Sequence, residues 1–175
     1  MPQFGLSGAQ VLPARGDPAL RVLFCGINPA PSVAVQGLCF AGAGNRLWSV
    51  LHCSGFTPRA MQACEQDLLP GLGIGITALV ARPTSRADEV TVEELRAGVP
   101  GLIRTVGRVG GCWVGFLGIS AFRLAFDRPR AAFGPQNVDG MRVWLLPNPS
   151  GRNRSWSFDR LCAEYRRFHT EAVPS

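Results

Sequence analysis

Short apolar runs punctuate the chain at intervals, and most of them end abruptly in a polar or glycine turn. Leu20–Cys25 reads as a buried strand that stops at Gly26, and Gly73–Val80, Cys112–Leu117 and Met141–Leu146 have the same character. Between them the period lengthens from that of a strand to that of a helix. Asn45 is expected to cap a helix with Leu47, Trp48, Val50 and Leu51 at helical spacing and Gly55 as the stop. A second short helix is predicted over Pro58–Leu69. Thr91 and Glu94 form a capping box that opens a helix reaching about Val106. Gly118–Phe126 reads as helix, followed by an Arg/Pro/Gly loop with Arg128 and Arg130. Ser157 opens an amphipathic helix that aligns Phe158, Leu161, Cys162, Tyr165 and Phe168 on one face.

Strands alternating with helices imply an α/β fold with a mostly parallel sheet covered on both faces. The expected layout is a loose N-terminal arm over 1–19, one domain over 20–170 and a tail over 171–175, with neither repeat nor linker. Asn28 to Gly44 is rich in Gly, Ala and Pro, with Phe40 as its one aromatic, and reads as a long loop of the kind that carries function.

Composition changes this picture in one respect. The chain is 46% hydrophobic and 17% charged, ordinary for a globular protein, but its net charge of +6 comes from eighteen arginines and no lysine. Arginine grips phosphate bidentately and stacks on flat π surfaces, which suits nucleic acid; a GC-rich coding bias accounts equally for the missing lysines. Without a lysine there is no side-chain amine for imine catalysis. His52 and His169 stand in no nucleophile or base motif and read as structural or exposed. The six cysteines are widely spaced, with no metal-ligand pattern, and most read as small buried hydrophobes. No metal and no cofactor is expected. No apolar stretch approaches the roughly 20 residues of a membrane span, and nothing resembles a signal peptide. The expected setting is reducing and cytoplasmic, near the nucleoid, without a membrane or an obligate protein partner, and the chain is read as a monomer.

Two Asn-Pro turns carry the chemistry. Gly26-Ile27-Asn28-Pro29 and Pro147-Asn148-Pro149-Ser150-Gly151-Arg152-Asn153-Arg154 each follow a buried strand. Ligands of open α/β sheets sit beyond the carboxyl ends of the strands, so the turns can share one crevice. The Asn28 amide can hold a water or a flat polar ligand, or the turn can be only a turn. Phe40 fits base stacking and core packing equally well. Asp88, after a strand and before a capped helix, is either a base for water or a solvated turn residue. Arg152 and Arg154 flank Asn153 and can contact phosphates or fill a gap in a base stack; otherwise they lie on an exposed polar loop.

Taken together, these segments resemble the mismatch-specific uracil-DNA glycosylases, bacterial relatives of thymine-DNA glycosylase. The resemblance runs roughly from Leu20 to Arg167. It is carried by Phe24–Pro29, Phe40-Ala41, Asn45–Trp48, Gly55–Thr57, Leu79–Thr84, Asp88–Val90 and Val143–Gly151 in order. It implies a three-layer α/β/α sandwich and hydrolysis of the N-glycosidic bond of uracil flipped from double-stranded DNA holding a G·U mismatch. By that match Asn28 positions water, Phe40 stacks on the base, and backbone amides near Ile27 and Phe40 read its edge, with Asn148 also in the base site. Ser150, Gly151, Arg152, Asn153 and Arg154 engage the duplex. Three departures stand out: Ala30-Pro31 where the family usually has Gly after Asn-Pro, Arg152 where it often has Leu, and Asp88 where relatives can carry an amide. The competing readings are a mismatch-binding protein without the chemistry, favoured by Ala30-Pro31, and a hydrolase of free nucleosides, disfavoured by the arginine-tipped turn.

Overall fold

The structure is a computed structural model that describes residues 10–175. Five strands form one sheet: β1 (Val22–Gly26), β2 (Ile74–Ala78), β3 (Trp113–Leu117), β4 (Gly134–Val138) and β5 (Met141–Leu146), in the spatial order β2-β1-β3-β5-β4. All neighbours are parallel except β4 and β5. The helices are α1 (Pro31–Gln36), α2 (Leu47–Cys53), α3 (Val92–Arg108), α4 (Ile119–Ala125) and α5 (Phe158–Ala172).

Alternation along the strands feeds two cores. Leu23, Cys25, Val114, Phe116, Val143 and Leu145 face α3 and α4, where they meet Leu95, Leu102 and Phe122. Val22, Phe24, Ile74, Ile76, Trp144 and Leu146 face α2 and α5, where they meet Leu51, Leu161, Tyr165 and Phe168. Strands buried on both faces read as continuous apolar runs. The expected three-layer α/β/α sandwich is the one observed.

Several local expectations change. The 28–44 segment is not all loop, since Pro31 starts α1 at its first position, where a missing N–H costs nothing and φ is already helical. The helix expected over Pro58–Leu69 is instead a 3₁₀ turn at Ala63–Leu68, closed by a reciprocal box between Gln62 and Glu65. Strand β4 was not anticipated because Gly134-Pro135-Gln136-Asn137 is polar and holds a proline. As an edge strand it tolerates both. Its signal is Asp139-Gly140, whose φ angles of 49° and 76° make the two-residue hairpin turn into β5.

Of the expected arm, 1–9 lies outside the described residues, and Val11 is docked rather than loose. It is buried and exchanges backbone hydrogen bonds of 2.9 and 2.8 Å with Ile76, covering the outer edge of β2. The cysteine reading also needs correction. Cys53 of α2 and Cys162 of α5 form a disulfide, and Cys64 is exposed, leaving Cys25, Cys39 and Cys112 as the buried free thiols. Two cysteines 109 residues apart leave no spacing signature; only the packing of α2 on α5 brings them together. No helix among the described residues is long and apolar enough to cross a membrane.

Candidate active site

The sheet order decides where the two Asn-Pro turns go. Strands β1 and β5 flank β3, so both turns leave the same end of the sheet with one strand between them, about 10 Å apart. Between them opens a pocket of about 180 Å³, with Ile27, Asn28, Phe40, Asn148 and Ser150 in its wall. The sequence-predicted base-site residues are therefore brought together, in a cavity sized for one heterocycle. None of its lining residues is Asp, Glu, Arg or His. Its one ionisable side chain, Cys39, is buried, and that burial pushes the thiol up to about 11, so it is no thiolate nucleophile at neutral pH.

Asn28 is held in one orientation. Its Nδ2 donates to the Arg82 carbonyl at 2.9 Å and to Thr84 Oγ1 at 2.7 Å, and Thr84 Oγ1 in turn donates to the Arg86 carbonyl at 2.6 Å. Both amide protons are thereby spent on the protein, and Oδ1 remains as an acceptor for a hydrogen of water. Asn148 is fixed in the opposite sense. Its Oδ1 accepts from Ser150 N–H at 2.9 Å, leaving the amino end, with no protein partner among the described residues, as the donor. One wall of the pocket therefore accepts and the other donates.

Phe40 sits between core and pocket. Its ring packs on the second core cluster, and its backbone has φ 54°, a left-handed conformation uncommon for a bulky residue. The ring lies so close to Gly26 that a Cβ there would meet Cζ at 3.0 Å. Glycine at the end of β1 is thus what lets the aromatic ring reach the pocket floor. The Phe40 loop is braced by Gln66, which takes the Cys39 N–H and donates to the Gly37 carbonyl at 2.7 Å each. Trp48 Nε1 adds a bond to the Cys39 carbonyl at 3.1 Å. Phe40 thus packs on the core and also lines the pocket.

Asp88 is placed differently. It stands at the pocket rim on the 3₁₀ turn Ala87–Glu89, exposed, with its carboxylate in a two-point ion pair with Arg86. It is not part of the pocket wall, whereas its neighbours Ser85 and Ala87 are. The hydrogen bond from Arg86 holds its carboxyl below the usual range, and the positive charge of Arg152 adds to this from across the mouth. His52 and His169 both lie off the pocket: His52 meets the Thr57 carbonyl and His169 packs edge-on against Phe56.

The second turn projects beyond the pocket. Arg152 and Arg154 are exposed at its tip, and neither guanidinium has a hydrogen-bonding or ion-pair partner among the described residues. Asn153 is turned inward, its Nδ2 bonded to the Asn148 carbonyl at 2.9 Å. Gly151 meets the other loop, since a Cβ there would lie 2.6 Å from the Gly44 carbonyl oxygen.

Thr84, which orients Asn28, was not among the expected site residues; its one mark in the sequence is a hydroxyl following Arg-Pro at the end of a strand run. Thr84→Val is expected to slow turnover about tenfold, the effect of roughly 1.4 kcal/mol for a lost positioning bond, while Thr84→Ser stays near the parent. Equal rates for Thr84→Val and the parent would remove Thr84 from the account.

The site is thus an uncharged pocket sized for one heterocycle in a three-layer α/β/α sandwich, with an arginine-tipped loop beside it. The family model of the Uracil DNA glycosylase superfamily matches residues 13–170, and the chain belongs to that superfamily. Its general activity is accordingly that of a DNA glycosylase, a hydrolase of base excision repair acting on uracil in DNA.

Proposed function

We propose that the protein is a monofunctional glycosylase that takes uracil out of duplex DNA, opposite guanine, and hydrolyses its N-glycosidic bond. The observation that carries this reading is the orientation of Asn28, whose spent amide protons leave one acceptor at the mouth of an uncharged pocket. As the C1′–N1 bond breaks, its electron pair leaves with the base and the sugar becomes oxocarbenium-like. Phe40 offers a face for the flipped base, and the Asn148 amino group, with backbone N–H groups near Ile27 and Phe40, supports the departing anion. The water held by Asn28 adds its oxygen to C1′ and releases a proton to solvent. Ser150–Arg154 enters the duplex, with Arg152 and Arg154 free for phosphates or the orphaned guanine. The protein acts as a monomer in the cytoplasm, beside the nucleoid.

Ala30-Pro31 is compatible with activity on this reading, because Pro31 is used to start α1 and the pocket stays open beside Ala30. Asp88 receives a small part. A carboxylate engaged by Arg86 is a weakened base, and an oxocarbenium-like carbon is electrophilic enough for unactivated water. Asp88→Ala is expected to retain excision within about threefold, with a flat pH–rate profile from about pH 5 to 9, since no group in the wall titrates there. The sign is that of a depressed carboxylate: Asp88 stays ionised above its ordinary range and its pairing with Arg86 weakens only as pH falls below it. A loss of about 100-fold, with an acid limb removed by the substitution, would make Asp88 the base instead.

The deciding experiment uses a labelled duplex with one G·U pair, treated with the protein and then heated in alkali. Scission at the uracil is the expected result, with no adduct trapped by borohydride. Retention of the duplex without scission would mark a mismatch-binding protein, and inertness toward DNA would leave a nucleoside hydrolase.

A further inference from the structure

Among the described residues Arg46 is the most heavily used side chain, and no acid pairs with it. Its Nε donates to the Pro149 carbonyl at 3.3 Å, its Nη2 to Ser150 and Asn153 at 3.0 Å each, and its Nη1 to Trp156 at 2.6 Å. Its own backbone N–H adds a second bond to Pro149 at 3.1 Å. All four acceptors are main-chain carbonyls of one irregular stretch, 149–156, which joins β5 to α5 and carries the Arg152-Asn153-Arg154 tip.

A loop of that length without helix or strand has few means of holding its own shape. Local bonds hold its two ends: Ser150 N–H to Asn148 Oδ1, Asn153 Nδ2 to the Asn148 carbonyl and the Asn153 N–H to the Ser150 carbonyl at the start, with Arg160 donating to the Ser155 carbonyl and stacking on Trp156 at the far end. The reach from Pro149 to Trp156 is spanned by one guanidinium. Its planar fork offers five donors in fixed directions, which suits several carbonyls converging from different bends; an ammonium offers three donors from one point. Arg46 is also anchored. It immediately precedes α2, whose far end is bonded to α5 through Cys53–Cys162.

A guanidinium surrounded by carbonyl oxygens is not available to a phosphate, so Arg46 differs in kind from Arg152 and Arg154, whose guanidinium groups have no hydrogen-bonding or ion-pair partner among the described residues. We propose that Arg46 is a positioning residue for duplex engagement: it keeps the 149–156 loop in the shape that enters the duplex and makes no contact with DNA itself. This rests on the reading of that loop's tip as the duplex-entering element.

The test compares Arg46→Ala and Arg46→Lys with the double variant Arg152→Ala/Arg154→Ala. Each is assayed for single-turnover excision from a G·U duplex and from the same uracil inside a three-base bubble, where unstacking is already done. Amide hydrogen exchange over 149–156 is measured in parallel. For Arg46→Ala, duplex excision is expected to fall about 10- to 100-fold, with the bubble substrate changed less than about threefold and exchange of the Asn153 and Arg154 amides accelerated. Arg46→Lys, which keeps the charge and most of the stem, is expected to fall with it, so the result does not depend on a variant that fails to fold.

Unchanged exchange over the loop, or equal losses on duplex and bubble, would overturn the proposal. If the double variant loses duplex selectivity and Arg46→Ala does not, the inference about Arg46 fails while the reading of the tip stands. If the double variant itself keeps full duplex selectivity, the reading of the tip fails and takes this proposal with it.

Discussion

Asn28→Ala is expected to lower single-turnover excision of uracil from a G·U duplex by roughly 10²–10³-fold, with duplex affinity within about threefold of the parent. The two halves of that expectation come from different parts of the molecule. On the proposed reading, affinity comes from the arginine-tipped loop on the far side of β3, which Asn28 does not touch. Rate on that reading comes from the placement of one water, and Asn28 Oδ1 is the acceptor left over once Arg82 and Thr84 have taken its amide protons. Asn28→Asp sharpens the test. A carboxylate in that place would set one oxygen, where Nδ2 now donates, against both the Arg82 carbonyl and Thr84 Oγ1, whose proton already goes to the Arg86 carbonyl. It is expected to turn out of position and lose most of the rate despite being the better base. Parent-like excision by Asn28→Ala, measured at saturating enzyme, would transfer the chemistry to another residue.

Gly151→Ala is expected to have a large effect as well, although it adds a single methyl to an exposed residue. That carbon would fall 2.6 Å from the Gly44 carbonyl oxygen, a backbone atom that cannot swing aside as a flexible side chain can. Relieving the clash means parting the 40–46 loop from the 148–154 loop. Their separation pulls at the Arg46 N–H bond to Pro149 on one side and at the Phe40 segment on the other. Overpacking of this kind costs about 1–3 kcal/mol, so duplex excision is expected to fall tenfold or more with the sheet and helices intact by circular dichroism. An alanine variant with parent-like excision would show that the loops need not touch.

Much of this was legible in the chain. The strands buried on both faces announced themselves as apolar runs, and the turn that ends β1 and the one that ends β5 were recognisable as polar exits from such strands. The capping residues Thr91 and Ser157 fixed two helix starts correctly. What stayed hidden depends on contacts between distant segments. Arg46 serves carbonyls more than 100 residues away, and a carbonyl leaves no mark in a sequence. Thr84 matters only because Asn28 folds against it, 56 positions removed. Asp88 read either as a base for water or as a solvated turn residue, and what the chain did not show is its partner Arg86, two residues earlier, which engages the carboxylate. Strand β4 was missed because an edge strand needs no apolar run, only a neighbour to pair with and a turn that brings it there.

The ordered state of the 149–156 loop, tied to α2 in the free protein, has a bearing on how a lesion would be chosen. A loop that must fold on contact loses entropy at every site it samples, sound or damaged alike. A loop already in shape loses little, so the deformation needed for engagement falls almost wholly on the DNA. Unstacking is cheapest at a mispair. On the proposed reading, discrimination would then begin with the mechanical weakness of the duplex, before any group in the pocket has touched the base.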